Sequence, residues 1–136
     1  MPQQPKSFYE AQIDRIYDET PVRAEHYEHI KQSRAFMMQH YFEQLDLDAL
    51  AKSAFMSRFH YVRIFQRVYG VTPRAYLRDI RIEKAKSLLR QGLPITQVCF
   101  DIGYESITTF SSVFKKCVGS TPKQYARDNQ DSDFPQ

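Results

Sequence analysis

The chain has 136 residues, which suits one domain or two small subdomains sharing a helix. Its 42% hydrophobic content supports a packed core, and no apolar run nears the roughly 18 residues a membrane helix takes, so no membrane partner is expected. The net charge of +3 hides an asymmetry: residues 1–50 hold five basic and nine acidic side chains, residues 51–127 hold fourteen and four, and the segment from Asp128 holds three acids and no base. A basic middle between acidic ends suits a polyanion-binding surface, although a solvated cationic face has the same composition. Met1–Glu10 lacks the apolar centre of a secretory leader. Cys99 and Cys117 are too few for a disulfide scaffold and belong to no Cys-x-x-Cys pair, so a reducing cytoplasm is the simplest setting.

Every predicted element is a helix. Residues 7–19 form a short amphipathic segment with Phe8, Ile13, Ile16 and Tyr17 in a stripe, broken by Thr20-Pro21. A long helix is expected from about Arg23 to Gln44, with Tyr27, Ile30, the stem of Arg34, Met37, Met38, Tyr41 and Phe42 on its apolar face. Shorter helices follow near 47–54, 57–68, 73–90, 95–101, 107–117 and 122–127. Gly70, Gly92, Gly103 and Gly119 each fall at a break between helical patterns, and no strict apolar/polar alternation marks a strand.

An internal repeat organises this series. Ser57, Phe65, Gly70, Thr72, Pro73 and Tyr76 match Ser106, Phe114, Gly119, Thr121, Pro122 and Tyr125, all 49 positions apart. Upstream the spacing is 48: Leu47 with Ile95, Leu50 with Val98, Ala51 with Cys99 and Ala54 with Ile102. One additional residue in the second turn accounts for the change. Each copy fits a helix-turn-helix. Ala51 and Cys99 supply the small residue where the first helix meets the second, and Gly103 sits where the turn needs positive φ. The apolar sets are Leu50, Ala54, Met56, Tyr61 and Ile64, and then Val98, Ile102, Tyr104, Phe110 and Val113. Ser57 and Ser106 are placed to cap the second helices. In each Gly-x-Thr-Pro segment the glycine ends a helix, the threonine caps the next and the proline suits its first turn.

The resemblance is then specific. Leu47, Leu50-Ala51, Ser57, Phe65, Gly70-Val71-Thr72-Pro73, Tyr76-Leu77, Arg81, Ala85 and Leu88-Leu89 resemble the DNA-binding domain of the AraC/XylS family. So do Ile95, Val98, Gly103-Tyr104, Phe110, Phe114-Lys115-Lys116, Gly119-Ser120-Thr121-Pro122 and Tyr125. The resemblance covers roughly residues 25–127. It implies an all-α fold of two helix-turn-helix subdomains, homeodomain-like three-helix units, joined by a long bridging helix. The expected divisions are an N-terminal extension or linker remnant at 1–22, a first subdomain at 23–73, the bridging helix at 74–90, a second subdomain at 91–127 and an acidic tail at 128–136. It also implies two recognition helices in successive major-groove segments on one face of duplex DNA.

In the first recognition helix Tyr61, Ile64, Phe65 and Val68 form the expected buried stripe, leaving Arg58, Phe59, Val62, Arg63 and Gln66 outward. Arg63 is the candidate for a bidentate contact to guanine, with Phe59 and Val62 against thymine methyls. Arg58 and Arg67 suit phosphates, and His60 is either a phosphate contact or an exposed helical residue. In the second helix the base-reading candidates are Ile107, Thr108, Ser111 and Ser112, with Lys115 and Lys116 for phosphates. Family members commonly place an arginine where Ser112 stands, so the second unit is expected to read bases weakly and mainly to position the protein. Arg81, between Ile80 and Ile82, is expected to be partly buried in an internal ion pair.

No other chemistry competes. His26 and His29 lie at i, i+3 near Glu25 but lack a third strong ligand, and they read as a surface pair rather than a metal site. Cys99 and Cys117 read as structural. No phosphate loop, nucleophile elbow or dinucleotide fingerprint occurs; no catalytic residue, metal or cofactor is expected, and the chain does not read as an enzyme. The expected function is a sequence-specific transcription regulator, an activator by resemblance, with double-stranded DNA as partner. RNA polymerase is a second candidate partner, and a monomer suffices on DNA because tandem units supply both groove contacts. The competing reading is a protein-interaction module of the same fold that binds RNA polymerase or another regulator. Some 25 residues precede the resemblance, so a stand-alone regulator and a piece of a longer protein both remain open.

Overall fold

The computed structural model describes Gln12 and residues 22–130. The expected helix over 7–19, with Phe8, Ile13, Ile16 and Tyr17, and the end of the acidic tail lie outside the described residues, Gln12 apart. Seven helices occur among the described residues, and no strand: α1 (Ala24–His40), α2 (Leu47–Ser53), α3 (Arg58–Tyr69), α4 (Pro73–Arg90), α5 (Ile95–Asp101), α6 (Ile107–Val118) and α7 (Pro122–Asn129). The described residues fall into two compact units, 22–37 with 46–74 and 38–45 with 75–130. Helix α4 begins in the first and continues through the second.

In the first unit Asp46 caps α2 by accepting from the Ala49 N–H at 2.7 Å, and Ser57 caps α3 by accepting from His60 N–H. Helix α3 ends on Gly70 at φ 78°, the left-handed stop expected there. Ile30 and Met37 of α1, Leu50, Ala51 and Ala54, and Tyr61, Ile64 and Phe65 of α3 are buried. Val68, expected in the same stripe, is half-buried. Ser33 is buried among them; its hydroxyl donates to Ile30 O at 2.9 Å and lies 3.0 Å from the Tyr61 hydroxyl. Burial pushes the Tyr61 phenol up to about 12.

The apolar face of α1 is narrower than the sequence pattern implies. Ile30, Ser33 and Met37 are fully buried, whereas Tyr27, Met38 and Phe42 stand 45%, 48% and 49% exposed. Ile30, Ser33 and Met37 follow one another at spacings of three and four, a single line along the helix; Met38 lies about 100° around from Met37. Arg34 is exposed, with its guanidinium 5.7 Å from the Tyr69 ring. The helix also stops at His40, four residues before Gln44, so Tyr41 and Phe42 lie beyond it.

In the second unit Ile82, Ala85, Leu89, Val98, Cys99, Ile102, Phe110, Phe114 and Tyr125 form one core. Ser106 caps α6, accepting from Thr109 N–H, and Gly119 ends it at φ 95°. Thr121 and Gln124 close a reciprocal capping box on α7, with Pro122 in its first turn. Arg81 corrects its expected ion pair. Its Nε donates to Tyr41 O at 2.7 Å and its Nη2 to Glu43 O at 2.8 Å, while the guanidinium lies 5.5 Å from the Tyr104 ring. The carbonyls that follow the end of α1 have no helical partner, and a five-donor guanidinium satisfies them without a carboxylate. Desolvation lowers the Arg81 pKa. Gln44 Nε2 donates to Gly103 O at 2.9 Å, so the 41–44 strap is tied to α4 through Arg81 and to the second turn through Gly103.

The turns of the two repeats share one backbone pattern. Phe55 N donates to Lys52 O and Met56 N to Ala51 O; Gly103 N donates to Phe100 O and Tyr104 N to Cys99 O. The spacing of 48 therefore persists through Met56 and Tyr104, which makes Glu105 the inserted residue. Phe55 takes φ 57° where the second repeat has Gly103 at φ 103°.

Candidate nucleic-acid interface

The capped start of α3 and its inward stripe of Tyr61, Ile64 and Phe65 fix which side faces out. Arg58, Phe59, Gln66 and Arg67 are exposed, and His60, Val62 and Arg63 are half-buried. The Arg63 guanidinium sits 5.0 Å from the Phe59 ring, one helical turn back. Two of the three base-reading candidates of this helix therefore touch, and the aromatic face restrains the long arginine. Arg58 Nε lies 3.1 Å from Asp48 Oδ1, an exposed pair reaching from α3 to α2. His60 meets the His26 ring edge-on, with centroids 4.8 Å apart. Burial and then the neighbouring His26 lower its pKa, so His60 is biased towards the neutral form.

On α6 Ile107, Thr108, Ser112, Lys115 and Lys116 are exposed, and Ser111 is half-buried. This face carries hydroxyls and methyls in its first two turns and both lysines in its last. Its outward cations are thus lysines, which act on a phosphate as point charges and lack the fork that reads guanine.

Three features escaped sequence reasoning. Asp48 pairs with Arg58 across the first turn, a contact that a comparison of position 48 with its repeat partner Thr96 points to. Phe55 is 75% exposed in a left-handed backbone and packs 5.0 Å from the His29 ring, which no helical periodicity marks. His26 turns to His60 while His29 turns to Phe55, so the i, i+3 pair is split between two neighbours. Cys99 is buried and burial pushes its thiol up in pKa, whereas Cys117 is exposed. It follows Phe110 and Phe114 at spacings of four and three on α6, and it is exposed in the last turn of that helix. Among the described residues no group of three or more His, Cys, Asp or Glu could hold a metal ion, and no helix is long and apolar enough to cross a membrane.

A family profile described as a helix-turn-helix domain matches residues 50–128, more than half of the chain. The fold has the same neighbours. It superimposes on the C-terminal domain of AraT, a response regulator from Geobacillus stearothermophilus, with a TM-score of 0.74 and 29% identity, covering 79% of this chain and 91% of that one. The chain belongs to the AraC/XylS family of transcriptional regulators. The AraC-type fold is shared with the DNA-binding domain of AdpA, a global transcriptional factor solved with a target DNA (TM-score 0.70, 28% identity, 73% of this chain and 90% of that one). Among sequence relatives, the Bacillus subtilis helix-turn-helix regulator YdeC is 32% identical over 83% of this chain and 38% of its own length. RclR of Escherichia coli, an RCS-specific transcriptional activator, is 34% identical over 58% of this chain and 28% of its own. The chain thus spans well under half the length of these two relatives.

Proposed function

We propose that this AraC-type domain binds duplex DNA sequence-specifically, reads bases chiefly through α3, and activates transcription. One observation carries the reading: Arg63 is aligned on Phe59 on the outward side of a recognition helix whose other side is locked into the core. An arginine held in one orientation offers its fork to guanine O6 and N7 at lower entropic cost than a free one. Phe59 and Val62 beside it supply apolar surface for thymine methyls, and Arg58, His60 and Arg67 flank them for phosphates.

Helix α6 enters a second, adjacent major-groove segment. Ile107, Thr108, Ser111 and Ser112 make short-range contacts there, and Lys115 and Lys116 hold phosphates. Tandem copies of the unit support binding by a monomer. The activating role follows RclR and the family resemblance, with RNA polymerase as the second partner.

Titrating duplex binding against salt tests the reading. The logarithm of the affinity falls linearly with the logarithm of salt concentration, by about 0.9 in slope per phosphate neutralised. No duplex binding, or binding that barely responds to salt, contradicts it and favours a protein partner docked on apolar anchors.

A further inference from the structure

Arg58 is the first residue of α3, and the first turn of that helix contains no acid. A cation there faces the positive end of the helix dipole. The missing negative charge comes from α2. Asp48 brings its carboxylate 3.1 Å from Arg58 Nε, across an open cleft of about 510 Å³ also lined by Ala51 and Met56. Asp46, on the same cleft, is already engaged in capping α2 through Ala49 N–H. In the second repeat the equivalent positions hold Thr96 and Ile107, so both charges are present in one copy and both absent from the other. The two side chains behave as one device.

Resting on the DNA-binding reading above, we infer that Asp48 is a positioning residue that stands in for a DNA phosphate. In the free protein it holds the guanidinium that a backbone phosphate takes in the complex. Binding exchanges carboxylate for phosphate at Arg58, so this arginine adds less affinity than an unpaired cation would, and the released Asp48 stands near the polyanion. The effect is the same on every duplex. Asp48 therefore sets the sequence-independent part of the affinity and leaves base selection to Arg63.

The test compares wild type, D48N, R58A and the double variant on a random-sequence duplex and on a selected one, across a salt series. D48N is expected to bind both duplexes roughly two- to fivefold more tightly, the span that an exposed ion pair supports. Its salt slope should change by well under the roughly 0.9 of a whole phosphate, because Arg58 takes the same phosphate in both proteins. R58A should cost more in the D48N background than in wild type, a coupling that a merely structural Asp48 would not produce. Wild-type affinity in D48N, or an equal cost of R58A in both backgrounds, overturns the inference while leaving the DNA-binding reading in place. Failure of wild type to bind any duplex overturns both.

Discussion

On α3 the outward arginines are engaged before any ligand arrives, Arg58 with Asp48 and Arg63 with Phe59; the second repeat has Ile107 and Ser112 at those positions. Beneath these faces the scaffolds match. Ser57 and Ser106 cap, Gly70 and Gly119 terminate, and Phe65 and Phe114 are fully buried. Core and cap positions are constrained by packing and by backbone groups that need partners, whereas an outward position is constrained by what it must touch. Two copies can therefore keep one frame while only one carries outward arginines at these positions.

The shared frame breaks most severely at the paired phenylalanines. Phe65→Ala and Phe114→Ala should each cost about 3–5 kcal/mol, measured by urea denaturation followed by circular dichroism. Similar losses confirm equivalent cores; a loss under about 1 kcal/mol at either site would mean that its unit packs otherwise. The turns come next. A Cβ on Gly103 would meet Tyr41 O at 2.9 Å with φ at 103°, so Gly103→Ala should cost about 2–3 kcal/mol. Phe55→Gly, relieving the left-handed strain at the equivalent site, should gain up to about 1 kcal/mol. If Phe55→Gly instead destabilised the protein, its packing on His29 would outweigh the strain.

The outward faces of α3 and α6 should differ in their contribution to binding. Arg63→Ala should cost about 1–3 kcal/mol on the preferred duplex and relax selection at one block of base pairs. Ser112→Ala should change binding by less than about 0.5 kcal/mol, and equal losses at the two sites would erase the asymmetry. Smallest is a pH effect confined to the first repeat. The folded pKa of His60 lies below its ordinary value of 6.5, so folding is favoured by neutral His60. That contribution is complete above 6.5 and is lost as pH falls from 6.5 through the folded pKa. Stability measured between pH 7.5 and 5 should fall less for His60→Gln than for wild type; parallel curves would remove His60 from the balance.

Much of this was legible in the sequence because it is local or periodic. Serine caps, glycine stops and the inward lines on α3 and α6 follow from neighbours within a few residues, and the repeat gave each feature a second instance. The features that escaped are long-range or depend on side-chain direction. Arg81 reaches carbonyls 40 and 38 positions away, a contact with no local signature, so a carboxylate partner was the reasonable expectation. The end of α1 at His40 belongs with the same strap, whose carbonyls bind Arg81 in place of a further helical turn. Tyr27, Met38 and Phe42 fall on the apolar face that helical spacing predicts, but the buried line of α1 is one residue wide and includes Ser33. On the site itself, helical phase placed the outward residues, but Asp48 and His26 belong to other helices and enter only through the fold.

Selection of bound duplexes from a random pool, for wild type and Arg63→Ala in parallel at near-physiological salt, tests whether α3 carries most of the base selection. Wild type is expected to select one strongly constrained block and one weakly constrained block about 10 bp away, centre to centre, with Arg63→Ala flattening only the strong one. Two equally constrained blocks, or a strong block that survives Arg63→Ala unchanged, would contradict that expectation.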